Sequence, residues 1–232
     1  MAPKPKSTDP ESATQSGGVA RLEPRSLRSR AYEEIKRRII TLAYAPGEYL
    51  NEALISEQLG IGRTPVHQAL DRLMLEGMIE IIPRKGVIVR PVSLDEFLQL
   101  TEVRLINEPY CAKLAAERAT ADEIAAMRAL LDRARDHVDT RDVEGLMALD
   151  RDFHASISRA ARNKVLAEIL LGLHERSLRF WFISLSDEHH HTRVQSEHEA
   201  VFEAIRARDG SGAEAAVRAH IESSRENIVK SI

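Results

Sequence analysis

The chain has little of several things, and each shortage excludes something. A single cysteine, Cys111, stands among 232 residues. One thiol rules out an internal disulfide and any cysteine-built zinc cluster, and it fits a reducing compartment. Aromatic residues make up 4% of the chain, and long runs of sheet-forming character are missing. No apolar run approaches the ~20 residues that span a bilayer, so no membrane partner is expected. The opening stretch MAPKPKSTDPESATQSGG has no apolar core and is not expected to act as a secretory signal, which points to a cytoplasmic protein. Nor is there a strong charge of one sign, since the net charge is -3. That balance hides an asymmetry: residues 1–92 carry 14 Lys+Arg against 11 Asp+Glu, and the remainder 19 against 25. A slightly basic first part on an acidic second part hints at a nucleic-acid module joined to a separate body.

What is present is helix. Hydrophobic residues at 43% and charged residues at 30% are ordinary for a globular protein, and the length suits one large domain or two modest ones. Residues 1–25, rich in Pro, Ser, Thr, Lys and Gly, read as a disordered tail. From Ser26 the pattern changes, and Tyr32, Ile35 and Ile39 carry a helical stripe that stops at Pro46-Gly47. Asn51 is placed to cap a short helix, EALISEQLG, which Gly60 closes. GRTPVHQALDRLMLEG follows, with Thr64 as the expected cap, Pro65 in the first turn and Val66, Leu70 and Leu73 on one face. IEII, PRKG and VIVR then read as two short strands joined by a basic turn.

Three helices and a basic hairpin describe a winged helix-turn-helix over residues 26–92. Residues 93–232 read as helix throughout, in segments near 94–118, 122–139, 143–161, 164–184, 193–208 and 212–230. Thr120 with Glu123, and Ser211 with Glu214, have capping-box spacing; Pro109 is expected to kink or split the first segment. The expected fold is mainly α: a winged helix-turn-helix with a small β-hairpin wing, then an all-α antiparallel bundle of six or seven helices.

A recognition helix presents its first residues to base edges in the major groove. In GRTPVHQAL the outward candidates are Arg63, Thr64, His67 and Gln68. Arg63 suits guanine or phosphate, and Thr64 suits phosphate or a thymine methyl. Arg84, Lys85 and Gly86 form the turn of the wing, where the cations are placed for the DNA backbone or minor groove.

The stretch PGEYLNEALISEQLGIGRTPVHQALDRLMLEGMIEIIPRKGVIV resembles the N-terminal domain of GntR-type bacterial transcription regulators, over about residues 27–91. The resemblance implies binding of double-stranded operator DNA as a homodimer. The family usually carries Arg where this chain has His67, and Ser where it has Gly62. Those departures bear on which operator is read.

The second part poses a different question. In LDRDFHASISRAARN, Asp150 and His154 stand four apart on one side of a helix whose inward stripe is Leu146, Phe153 and Ile157. A carboxylate aimed at a core costs several kcal/mol unless something pairs with it. Two further polar residues fall on inward stripes: His198 among Val194, Val201 and Ile205, and His220 between Val217 and Ile221. Asp150, His154, His198 and His220 thus converge from three helices. Imidazole nitrogens and a carboxylate suit a divalent ion, with zinc first and nickel or manganese as alternatives. Asp152 is the rival aspartate, but helical geometry points it elsewhere. His189-His190-His191 reads as part of a solvated loop, and His137 and His174 receive no role.

VRLINEPYCAKLAAERA, LDRDFH, Asn163 and EHEAVFEAIRARD leading to His220 together resemble the all-helical FCD effector domain of FadR-type GntR regulators. The resemblance implies that the Asp and three His bind a divalent metal at the base of a cavity for a small organic acid. Arg104 matches the position from which the family often supplies an arginine to that acid; its plainer reading is an ion pair with Glu108. Arg176 and Arg179 are further effector candidates, and Glu108 and Asn163 are assigned to packing or capping. The expected function is a ligand-responsive transcription regulator, most often a repressor. Two alternatives stand beside it: the metal as a structural staple only, or a metal-dependent enzyme.

Overall fold

The computed structural model describes residues 26–82, 86–140, 142–184 and 188–231. The expected tail, residues 1–25, and the wing residues Arg84 and Lys85 lie outside them.

The first part is built as the apolar spacing predicts. Helix α1 (Leu27–Ile40) is capped by Ser26, whose hydroxyl accepts the Ser29 N–H, and it buries Ala31, Tyr32, Ile35 and Ile39. Helix α2 (Glu52–Leu59) begins where Asn51 Oδ1 accepts from Ala53 and Leu54, and it ends at Gly60 in the left-handed conformation. A side-chain cap of this kind is worth about 1 kcal/mol. Helix α3 (Arg63–Leu75) buries Val66, Ala69, Leu70 and Leu73 against α1. Its cap position is taken by Gly62, with no side-chain bond. Thr64 therefore lies within the first turn, exposed, and is not the cap.

The wing has one strand more than expected. Strands β2 (Ile79–Ile82) and β3 (Gly86–Val89) pair antiparallel, and the two residues Tyr49–Leu50 (β1) add to the other edge of β3, giving the order β1-β3-β2. Gly86 has φ +104°, and a Cβ there would come within 3.1 Å of the Leu50 carbonyl oxygen. The wing's own backbone thus requires a glycine at this position.

Six helices follow: α4 (Leu94–Arg118), α5 (Ala121–Thr140), α6 (Val143–Ala160), α7 (Lys164–Ser184), α8 (Glu188–Arg206) and α9 (Gly210–Ser231). Their shared core holds Phe153, Ile157, Met127, Phe202, Val217 and Ile221 among others. The Thr120–Glu123 capping box forms in both directions, and Asn163 Oδ1 caps α7 by accepting the Leu166 N–H.

Three expectations are corrected. Helix α4 is not split at Pro109, which stands inside it. Helix α8 starts at Glu188, so the run His189–His191 is helical rather than loop; no glycine or proline stands there to stop it. The first turn of α9 is held by Asp209 Oδ1, which accepts the Gly212 N–H at 2.8 Å, in place of the Ser211 box.

The two parts meet along α1 and α7. Ile40 packs on Met147 and Leu178, and Val92 of the connector packs on Phe97, Phe180 and Ile228.

Candidate metal centre and DNA-reading surface

The inward stripe of α6 carries Asp150 and His154 into the bundle. His174 Nε2 of α7 lies 3.2 Å from Asp150 Oδ2, and His198 Nε2 of α8 lies 3.4 Å from Oδ1. His154 Nε2 is 3.8 Å from Oδ1. From α9, the His220 ring centroid is 4.7 Å from that of His198 and 5.4 Å from that of His154. All four residues expected from the sequence come together. Two overlapping sets, His154-His198-His220 and Asp150-His154-His174, each offer three donor atoms within 4.8 Å of one another.

His174 was the residue that sequence reasoning passed over. It sits four residues from both Leu170 and Leu178, which are buried on α7, and that is the spacing that marked His198 and His220.

Burial pushes the His154 and His198 imidazoles down, His198 to about 4, because a charged ring is poorly solvated there. Both are neutral at physiological pH and keep a lone pair. Burial works in the opposite direction on Asp150, but contact with His174 and the proximity of His154 and His198 outweigh it and hold the carboxyl well below its usual range. His174 Nδ1 is buried without a hydrogen-bond partner, and the Nε2 atoms of His174 and His198 face only the Asp150 carboxylate, outside hydrogen-bond geometry. Such groups cost free energy unless satisfied. Lone pairs on neutral imidazoles around an ionised carboxylate are what a divalent cation accepts. His220 Nδ1 is held by Glu197 Oε2 at 2.9 Å, which orients the ring.

Arg104 and Glu108 form the i,i+4 pair of the plainer reading, but it is buried: Nε donates to Oε1 at 2.5 Å. Arg104 also borders a small cavity of about 20 Å³ together with Asp150, His154, His174 and His220. Arg176 and Arg179 do not reach that cavity, which corrects their expected role. Arg176 Nη2 donates to Glu96 Oε1 at 2.5 Å beside Gly77. Arg179, buried, donates to the Arg90 carbonyl at 2.8 Å. Both brace the connector between the two parts.

The residue after His174 looks the other way. Glu175 Oε2 contacts Lys36 Nζ of α1 at 2.5 Å, and both are buried. Lys36 in turn donates to Tyr32 Oη at 2.8 Å, and Tyr32 donates to Glu76 Oε2 at 2.7 Å, at the end of α3. Arg72 of α3 stacks over the Tyr32 ring at 3.7 Å and donates to Glu76. A polar chain therefore runs from Glu175, the backbone neighbour of His174, to the C-terminal end of α3.

At the other end of α3, Arg63, Thr64, His67 and Gln68 are exposed together. His67 Nδ1 lies 3.1 Å from Glu52 Oε2, and Nε2 lies 3.7 Å from Asp71 Oδ2; the bond to Glu52 and the charge of Asp71 raise its pKa. Arg63 brings a guanidinium to this end of α3. Arg63→Ala is expected to weaken operator binding about 10- to 100-fold with the fold intact, measured by fluorescence anisotropy beside circular dichroism. An unchanged affinity would remove α3 from the reading role.

Known proteins give the comparison. The FCD domain family matches residues 99–223, and the family described as bacterial regulatory proteins, gntR family, matches residues 27–89. The chain is 31% identical over 137 residues to an Nta operon transcriptional regulator of Aminobacter aminovorans, covering 59% of this chain and 65% of that one. It is 27% identical over 212 residues to a galactonate operon transcriptional repressor of Escherichia coli, covering 81% and 90%. The solved structure of E. coli McbR/YncC shares the fold, with a TM-score of 0.79 at 21% identity, covering 88% of this chain and 98% of that one. Among the described residues no helix is long and apolar enough to cross a membrane.

Proposed function

The chain belongs to the GntR family of bacterial regulatory proteins, with an FCD domain as its second part, and is a DNA-binding transcription regulator; we propose that it is a homodimeric repressor whose FCD domain binds a divalent metal ion and a small carboxylate. The enzyme reading is withdrawn, because the family and its relatives are transcription regulators.

The observation that carries the proposal is the Asp150 cluster: a carboxylate only one-tenth exposed, faced by the imidazoles of His154, His174 and His198, with His220 beside them. Asp150, His154, His198 and His220 would hold the ion, with His174 as a fifth donor on the Asp150 side. Zinc is the first choice for these donors, and nickel and manganese remain compatible. The bound ion would supply the positive charge that Asp150 lacks and a free position for a carboxylate oxygen. Arg104, at the cavity edge, is placed to take the other oxygen.

Two copies would present two α3 helices to an inverted repeat. The route from effector to DNA would pass through the backbone from His174 to Glu175 and then along Lys36, Tyr32 and Glu76, which ends α3. A carboxylate that displaces His174 shifts Glu175 with it, and the differential affinity for the two arrangements is the coupling energy.

The test is operator affinity in four states: protein stripped by chelator or reloaded with zinc, each with and without carboxylate. We expect at least a tenfold change on adding carboxylate to the loaded protein and none in the stripped one. An equal response in both, or no response in either, would contradict the proposal.

A further inference from the structure

A second, larger cavity reaches two of the same histidines, His154 and His174. It measures about 170 Å³ and lies among α4, α6, α7 and α9. Its walls are Cys111, Ile157, Ala167, Leu170, Leu171 and Val217.

The polar groups around it are already committed. Ser158 Oγ donates to the His154 carbonyl at 3.0 Å. Glu108 is taken by Arg104. Burial pushes the Cys111 thiol up to about 11, so it stays protonated and packs as a small apolar group. Arg151 and Arg159 border the outer end, where they are half-exposed and exposed.

The size also matters. A cavity of about 150 Å³ lined by aliphatic and aromatic side chains takes a benzene-sized molecule. The cavity beside Arg104, at about 20 Å³, has room for about one water-sized group and not for a tail.

We propose that the effector is a small monocarboxylate with an apolar tail of about six carbons, alkyl or aryl, whose head meets His154 and His174 and whose tail fills this chamber. This rests on the carboxylate reading above and narrows it. A polyhydroxylated acid is disfavoured, because each hydroxyl buried against these walls would go unpaired, a loss of about tenfold or more in affinity.

The experiment is calorimetric titration of the zinc-loaded full chain with benzoate, hexanoate, acetate and gluconate, with zinc content measured on the same samples. Benzoate or hexanoate should bind at least tenfold more tightly than acetate or gluconate. Ala167→Phe, which fills the chamber at a half-buried position, should remove that advantage while leaving zinc content and acetate affinity unchanged. If Ala167→Phe does not fold, Leu170→Ala takes its place and should move the preference to a longer tail.

Four results would overturn the chamber: gluconate binding as well as benzoate, none of the four acids binding to zinc-loaded protein, benzoate affinity unaffected by Ala167→Phe, or tail preference unmoved by Leu170→Ala. Benzoate that binds chelator-treated protein and is lost in Ala167→Phe would uphold the chamber and refute the metal. The two readings are thereby separable.

Discussion

Lys36→Met is expected to cost about 3–5 kcal/mol of stability. Lys36 is 4% exposed and neutralises Glu175 at 2.5 Å, with Glu76 at 3.7 Å. Without it, Glu76 keeps Arg72 and Tyr32, whereas Glu175 is left with Arg151 at 4.0 Å. An uncompensated buried carboxylate at the seam between two domains is the expensive outcome. Urea denaturation of the variant beside Lys36→Met/Glu175→Leu separates charge from packing. The double variant should recover most of the loss, since replacing both partners of a buried pair with apolar groups is often near neutral. It should also bind operator without responding to carboxylate, because the chain from His174 to Glu76 has been cut. A single variant within 1 kcal/mol of the parent would show that Glu175 finds water or another cation, and would break the proposed route.

Asp150→Ala has the second large effect. With the carboxylate gone, the remaining donors are imidazoles, none of which brings a negative charge to the ion, and affinity for zinc should fall about 100-fold. Ligand linkage then makes the contrast visible: zinc at 100 times its Kd should stabilise the parent by about 2.7 kcal/mol, and the variant by far less. Thermal unfolding with and without zinc checks this. Equal stabilisation of both proteins would mean that zinc binds elsewhere.

Much of this was legible in the sequence, and the reasons differ by region. The helix stripes of α1, α3 and α6 appear directly, because inward positions repeat at three and four residues. His198 and His220 were found by asking which polar residues interrupt such a stripe. The same question put to α7 would have found His174 between Leu170 and Leu178; a histidine taken alone carries no such signal. β1 was hidden because two residues have no periodicity of their own, and Tyr49–Leu50 are a strand only by pairing with β3. Arg176 and Arg179 were misplaced because a helix pattern gives a face, not the neighbour that the face meets. The Lys36–Glu175 pair was invisible for that reason too: each reads as an ordinary helical charge until α1 and α7 are packed together.

The measurement that bears most directly on the whole account is the metal content of the untagged protein purified without chelator, beside an Asp150→Ala/His198→Ala variant. The account predicts about one divalent ion per chain, absent from a variant that remains folded and still binds DNA. No ion in the folded parent, or the same ion content in both proteins, would contradict it.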